Sequence, residues 1–263
     1  MGNERQDLIV KYVPALQLLI VYLISSCFLT ASTLEVGLIG RYTFESGNGA
    51  DSSGNGNDAS VLNATIEQGR FTGNNSYLCN ANTKISVSLF NQNISTVSIW
   101  FKVGAIDHAY LTLYDSTAFD YFTILGNHPA YLAAGTVGYG YAGTNFLTLT
   151  SLADNNWHHF ASTYDLDNQK LNIFLDGLFV GQGGASFPLN SSSTFMMGSQ
   201  IGTSDMGPAG FSGLIDDVRI YSRSLSSSEI MTLYTTESVP EPSALSLLLI
   251  GLGSLAMIRR RRS

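Results

Sequence analysis

Apolar and polar residues alternate near the end of the chain, in the stretch Phe211–Tyr221. A period of two is typical of a β-strand, whose successive side chains point to opposite faces. One face is then apolar except for Asp216, whose carboxylate needs hydrogen bonds or a cation if that face is buried. The pattern places Leu214, Asp216, Val218 and Ile220 on one face and Ile215, Asp217, Arg219 and Tyr221 on the other.

A short helix is predicted directly after this strand. Ser226 and Glu229 have the spacing of a capping box, in which each side chain bonds the other residue's backbone amide. Leu225 and Ile230 flank the box as a hydrophobic staple. The apolar residues of such a short helix must cover part of a sheet.

Further strands are indicated by the same alternation in three segments and in a hairpin. Asp176-Gly177 separates LNIFL from LFV and is typical of a type I′ turn. The loop Asp51–Asp58, DSSGNGND, follows the first strand; its Gly and Asn residues permit left-handed backbone, and its Asp, Ser and Asn side chains can bond the loop itself. The three segments predicted as strands are Gly37–Glu45, Val97–Val103 and Trp157–Tyr164, and the predicted hairpin is Leu171–Val180.

Composition favours an all-β domain in a chain of 263 residues. Only 13% of the residues are charged, and the 26 glycines suit turns and short strands. The first 32 residues are neutral and the tail from Ser238 carries +3, so the formal total of −7 leaves −10 on the middle of the chain. Such a surface repels nucleic acid, which is not expected as a partner, and favours a cation site.

The first 32 residues have the pattern of an export signal. A short charged region ends at Lys11, an apolar run follows, and small residues include Ala31 and Ser32, near which we expect cleavage. Two alternatives stay open: the apolar run is long enough to remain as an anchor, and the sequence before Cys27 allows lipidation. After cleavage only Cys79 remains, which excludes a disulfide framework and suits a buried apolar position.

The last 26 residues form a three-part tail. Pro240, Glu241 and Pro242 precede an apolar run at 244–258, and four arginines that include Arg259 and Arg260 follow it. The run is shorter than the ~20 residues that usually span a bilayer, but long arginine side chains can reach the interface. The tail therefore predicts a membrane segment with its basic end on the cytoplasmic side.

These motifs, in this order, resemble laminin-G-like, concanavalin A-like jelly-roll domains. The resemblance covers about Gly37–Tyr234 and implies a sandwich of two antiparallel sheets in which the first and last strands are neighbours. The tail resembles the PEP-CTERM sorting signal of Gram-negative bacteria, which implies processing by an exosortase near Pro-Glu-Pro. We expect an export signal at 1–32, one jelly-roll domain at 33–237 and a sorting tail at 238–263.

The resemblance also implies a possible calcium site. Neighbouring first and last strands would bring Asp51, Asn57 or Asp58 close to Asp216 or Asp217, and calcium prefers such oxygen ligands. The alternative is that the loop residues cap their own turn and that Asp216 accepts backbone amides. The loop is not an EF-hand, because Leu62 stands where the bidentate glutamate belongs.

Catalytic motifs are absent from the sequence. No strand carries the paired carboxylates of a retaining glucanase, and no Ser-His-Asp elbow or nucleotide fingerprint occurs. His158 and His159 alternate across a strand and cannot share a metal. We therefore expect a non-catalytic surface module for a polysaccharide, with a purely structural matrix protein or a glycosidase as alternatives. Candidate sugar-stacking residues are Tyr139, Tyr141 and Phe146, for which packing in the core is an equal alternative.

Overall fold

A computed structural model describes the protein at residues 33–80, 82–89, 92–104, 109–115, 121–126, 131–134, 145–148, 152, 154–165, 167–168, 170–184, 189–191, 195–198 and 212–240. In these residues strands predominate, and one helix, α1 (Ser227–Glu237), follows the last strand. The strands are β1 (Leu38–Tyr42), β2 (Ser60–Leu62), β3 (Thr65–Gln68), β4 (Asn75–Cys79), β5 (Lys84–Val87), β6 (Gln92–Ile94), β7 (Thr96–Lys102), β8 (Ala109–Asp115), β9 (Tyr121–Gly126), β10 (Tyr131–Ala134), β11 (Asn145–Thr148), β12 (Trp157–Asp165), β13 (Lys170–Leu175), β14 (Leu178–Gly184), β15 (Leu189–Ser191), β16 (Phe195–Gly198) and β17 (Gly213–Tyr221).

The described strands form two large antiparallel sheets and one small one. The first sheet has the order β14-β13-β12-β7-β17-β4-β3, and β1 also pairs with β17. The second has the order β11-β10-β9-β8-β16-β5-β2, while β15 pairs with β6 alone. The predicted pairing of the first strand with the last is confirmed, since Leu38 lies opposite Tyr221 and Tyr42 opposite Val218.

Buried side chains from both large sheets form one core. Ile99, Phe101 and Phe160 of the first sheet belong to the same apolar cluster as Ile85 and Phe195 of the second. Cys79 is also fully buried in this core, where burial raises the pKa of its thiol to about 12. The all-β sandwich expected from the alternation is therefore the observed architecture.

A second apolar cluster lies on the opposite face of the first sheet, which we call the outer face. Helix α1 covers it with Ile230 and Leu233, which pack with Leu225, Phe174 and Tyr221. The predicted capping box is present, because Ser226 accepts from the Glu229 amide and Glu229 accepts from the Ser226 amide. The helix therefore covers part of a sheet, as predicted.

The predicted faces of β17 are wrong beyond Asp216. The register against β7 pairs Ile215 with Phe101 and Asp216 with Trp100, then shifts by one residue before Arg219 pairs with Ser98. Asp217 has φ 41° inside this bulge. Because a bulge inserts one extra residue, Val218 turns to the core with Ile215, and Asp216 shares the outer face with Arg219.

The hairpin between β13 and β14 has the predicted turn. Asp176 and Gly177 have φ angles of 49° and 77°, the positive values that a type I′ turn requires. A side chain at Gly177 would also meet Tyr234 of α1 within 3.0 Å, so the helix packs closely over this turn.

No helix within the described ranges is long and apolar enough to cross a bilayer. The two apolar runs for which the sequence predicts terminal helices lie outside those ranges.

Candidate functional site

The loop Asp51–Asp58 is organised around the carboxylate of Asp51. Its Oδ1 accepts hydrogen bonds from the amides of Arg41 at 3.0 Å and Ser53 at 2.9 Å, and its Oδ2 accepts from the Asn57 amide at 3.0 Å. Asp58 in turn accepts from the Asp51 amide at 2.8 Å. The two carboxylates thus bond the turn itself, which is the alternative that turn chemistry predicts.

The side chain of Asn57 fastens this loop to β1. Its Nδ2 donates to the Ile39 carbonyl at 2.7 Å. The backbone carbonyl of Asn57 accepts from the hydroxyl of Tyr42 at 2.7 Å. Tyr42 is fully buried, and burial, with Asp51 and Asp58 nearby, raises the pKa of its phenol well above the usual value. The loop is therefore attached to β1 by hydrogen bonds from both sides.

A second group of polar side chains is buried on the outer face, beside the end of α1. We call it the Glu237 cluster; it comprises Arg70, Trp100, Asp216, Asp217, Arg219 and Glu237. Arg70 forms ion pairs with Asp216, at 3.4 Å, and with Asp217, and its guanidinium lies 4.3 Å from the ring centre of Trp100. A guanidinium at this distance is attracted to the indole face.

Glu237 joins this cluster to the helix. Its carboxylate accepts from Trp100 Nε1 at 2.7 Å and from Arg219 Nε at 2.6 Å, and its backbone carbonyl accepts from Arg70. The ring of Tyr234 stacks on Trp100, with centroids 5.5 Å apart. The end of α1 is therefore fastened to the sheet by both polar and aromatic contacts.

The acids of the Glu237 cluster have altered proton affinity. Burial, reinforced by the carboxylate of Asp217, raises the pKa of Asp216 to about 8, although Arg70 opposes the shift. Burial and the nearby Glu237 also raise the pKa of Asp217. Because Asp216 is fully buried and Arg70 lies against it, this carboxylate has no surface on which to meet a ligand.

The two adjacent histidines have different surroundings. His159 is fully buried under α1, its Nε2 lies 2.8 Å from Ser98 Oγ, and burial lowers its pKa to about 3. His158 is partly exposed and lies between Asp176, at 3.0 Å, and Asp154, at 3.2 Å. The hydrogen bond to Asp176 raises the pKa of His158.

Beyond the Glu237 cluster, the outer face carries a row of partly exposed side chains, which we call the open row. The register pairs Trp157 with Lys102, Lys102 with Leu214, and Leu214 with Leu78. Directly opposed residues share a face, so these four side chains cross four strands on the side away from the core. Leu78 is 36% exposed, and the other three are half-buried.

The five residues of the predicted calcium site lie in two separate structures. Asp51, Asn57 and Asp58 belong to the loop, whereas Asp216 and Asp217 face Arg70. Among the described residues, no three His, Cys, Asp or Glu side chains lie together in a way that could hold a metal. Calcium binding stays a prediction, which calorimetry can decide: heat and a raised melting temperature support it, and a blank titration removes it.

Several predicted residues fall outside the described structure. Tyr139 and Tyr141 lie outside it, and Phe146 is described through its backbone in β11, paired with Ala133 of β10. Pro240 is exposed and is the last residue described. The remaining processing residues lie beyond the described ranges: Ala31, Ser32, Glu241, Pro242, Arg259 and Arg260.

Sequence reasoning missed the residues that matter most on the outer face. Arg70, Glu237 and Trp100 carry no local motif, and the hydrogen bonds that Arg70 and Trp100 donate in this cluster join residues 137 to 167 positions apart. The usable signal was the buried carboxylate of Asp216, which required a cationic partner without identifying it.

Solved structures share this fold at low sequence identity. Domain 4 of AbnA, an extracellular arabinanase from Geobacillus stearothermophilus, solved with arabinotriose, superposes with a TM-score of 0.53 and 18% identity over 75% of this chain and 98% of that chain. The binding domain of Paraclostridial Mosquitocidal Protein 1 gives 0.62 and 17%, over 78% and 53%. The binding domain of botulinum neurotoxin serotype D gives 0.58 and 19%, over 77% and 52%. The chain thus spans nearly all of the arabinanase domain and about half of each toxin domain, and no curated protein matches it.

Two family profiles match the sequence. The PEP-CTERM protein-sorting motif matches residues 238–262, which indicates export, cell-surface sorting in bacteria and processing by an exosortase-type enzyme. The profile of the concanavalin A-like lectin/glucanases superfamily matches residues 72–231, more than half of the chain. The two antiparallel sheets agree with that fold, so the predicted jelly-roll class is confirmed. The chain belongs to the concanavalin A-like lectin/glucanase superfamily.

Proposed function

We propose that this protein is an exported, non-catalytic module that binds a polysaccharide at the bacterial cell surface. The observation that carries the proposal is the open row, which places a partly exposed tryptophan beside a partly exposed lysine on the outer face of a sheet. An indole face packs against the C–H groups of a sugar ring, and an ammonium donates hydrogen bonds to its hydroxyls.

The solved structures with this fold support a sugar as the ligand class. The arabinanase domain was solved with arabinotriose, and a structure of botulinum neurotoxin type C concerns its interaction with two ganglioside molecules. Both ligands carry sugar rings, although the low identities mean that these structures share only the fold with this chain.

The fully buried position of Asp216 supports the non-catalytic proposal over a glycosidase. A catalytic carboxylate must reach the scissile bond, whereas Asp216 lies against Arg70 beside the end of α1. Release of reducing sugar that disappears in Asp216→Asn would favour the glycosidase.

Binding of the full chain to a panel of surface polysaccharides tests the proposal. We expect Trp157→Ala to weaken binding by about tenfold or more, since truncation of an aromatic residue at the centre of an interface typically costs over 1 kcal/mol. Phe179→Ala is the matched control, because Phe179 is 53% exposed and lies outside the open row.

Other results of the binding experiment would favour a different binding site or a purely structural role. Loss of binding in Tyr139→Ala or Tyr141→Ala, but not in Trp157→Ala, would move the site to the sugar-stacking residues predicted from the sequence, Tyr139, Tyr141 and Phe146. A panel without any binding would favour the purely structural matrix protein.

The protein reaches the cell surface in two steps under this proposal, export and then release of its tail. We propose cleavage of the export signal near Ala31 and Ser32 and temporary anchoring by the apolar run 244–258 in a Gram-negative cell. Mass spectrometry of the protein released from the cell would show both ends, and a lipid on Cys27 would support the alternative anchor.

A further inference from the structure

The end of α1 fixes the point at which the chain leaves the domain. Glu237 is held through its carboxylate by Trp100 and Arg219 and through its carbonyl by Arg70. The next residues are open to solvent: Val239 is 58% exposed, and Pro240 is exposed as well. The chain therefore leaves the outer face immediately after a fastened residue.

This exit point lies beside the open row. Trp100, which donates to Glu237, precedes Lys102 by two residues in β7 and points to the same face. Such residues are about 7 Å apart along a strand. On the neighbouring strand β17, Asp216 of the Glu237 cluster and Leu214 of the open row have the same spacing. The cluster and the row are thus adjacent on two strands.

The chain between this exit and the predicted membrane segment is short. Six residues, 238–243, separate Glu237 from the apolar run, and two of them are prolines. Even fully extended, six residues span only about 20 Å. The headgroup region of a bilayer takes up roughly 5–7 Å of that length. The outer face therefore cannot move far from the membrane while the tail remains inserted.

We propose that the uncut tail keeps the open row close to the membrane surface and shielded there, and that removal of the tail at the sorting motif exposes the row. The inference rests on the proposed function for the row's role as a binding surface and for the membrane insertion of 244–258. It assigns the cleavage a second effect, because the same event that releases the protein makes its binding face accessible.

Thiol labelling of the chain after removal of its export signal, residues 33–263, in lipid vesicles tests the shielding without any polysaccharide. Leu78→Cys reports on the open row, and Leu62→Cys, at a 57% exposed position of the other large sheet, is the matched control. Cys27 is removed with the export signal, and Cys79 stays unlabelled because it is buried. Each cysteine variant is compared with a variant that carries a long Gly/Ser spacer after Val239, which frees the domain from the membrane.

We expect maleimide to label Leu78→Cys several-fold faster with the long spacer, and Leu62→Cys at the same rate with either tether. Equal rates for Leu78→Cys with both tethers overturn the inference. The labelling rates are measured without any ligand. If neither the protein with the natural tether nor the protein with the long spacer binds a polysaccharide, that result counts against the proposed function alone.

Discussion

The two groups of carboxylates that the sequence assigned to one cation site differ in how their charge is compensated. Asp51 lies in a partly exposed loop and accepts hydrogen bonds from three backbone amides. Asp216 and Asp217 are buried, at 0% and 7% exposure, and face the guanidinium of Arg70. One group is stabilised by the turn around it and the other by a distant side chain.

This difference shows which interactions depend on the assembled sheet. The amides that bond Asp51 lie 2, 6 and 10 residues away in sequence, so the loop forms most of its own contacts locally. Arg70 is 146 residues from Asp216 and reaches it only when the outer face is complete. A charge buried in that way is costly whenever its partner is removed.

Arg70→Met gives the largest expected effect, because it leaves Asp217 buried without its closest cation. We expect a loss of about 3–5 kcal/mol in the free energy of unfolding, measured by urea denaturation. The methionine keeps most of the packing volume against Trp100, so the loss reports mainly on charge.

The control for this variant is Arg223→Met, which removes a more exposed pair with Glu229 and hydrogen bonds to the carbonyls of Val36 and Thr33, and should cost about 1–2 kcal/mol. Asp217→Asn should cost less in Arg70→Met than in the wild type, since the two residues then no longer depend on each other. Equal costs for the two arginine variants would show that burial does not make the pairs of Arg70 more costly to break than a more exposed pair.

Asp51→Ala should have an intermediate effect. It removes the acceptor of three part-buried amides, so we expect a loss of about 2 kcal/mol by urea denaturation. Asp58→Ala, which removes the acceptor of one amide at an exposed position, should cost about 1 kcal/mol or less. A loss in Asp51→Ala as large as that in Arg70→Met would show that local turn bonds match the buried ion pairs.

Local sequence predicted most of the fold for the same reason that it predicted the Asp51 loop. The capping box at Ser226 and the turn at Asp176-Gly177 depend on residues within a few positions of each other, and both are observed. The pairing of β1 with β17 followed from the resemblance to a known family. The bulge at Asp217 escaped prediction, because alternation assumes one residue per step and cannot show an inserted one.

The candidate site was less predictable because its residues come from distant parts of the sequence and become neighbours only when the strands pair. Trp157 was recognised as the start of a strand, but its exposure depends on where α1 ends. Helix α1 covers His159 and leaves Trp157 partly open, two residues earlier on the same strand and face. The sequence marks Glu237 only as the end of the predicted domain, although its carboxylate accepts hydrogen bonds from Trp100 and Arg219.

Asp216→Asn should have the smallest effect on stability at neutral pH. Its informative property is the direction in which stability changes with pH, which should differ between Asp216 and Asp51. Burial raises the pKa of Asp216 to about 8, so the folded protein holds this proton more tightly than the unfolded chain does. An unfolded aspartate ionises near pH 4, so stability should fall as pH rises from about 4 to about 8 and then level off. Asparagine resembles the neutral acid, so the variant should cost below about 1 kcal/mol at pH 7 and flatten this part of the curve.

Asp51 should show the opposite sign. Desolvation alone would raise its pKa, but hydrogen bonds from Ser53, Arg41 and Asn57 together lower it. Its stabilising contribution is therefore present above the unfolded pKa and is lost as pH falls through the folded pKa. Melting temperatures measured from pH 3 to 9 should show Asp51→Asn flattening only the acidic limb and Asp216→Asn only the limb above pH 4. If both variants change the same limb, the two groups share one electrostatic environment after all.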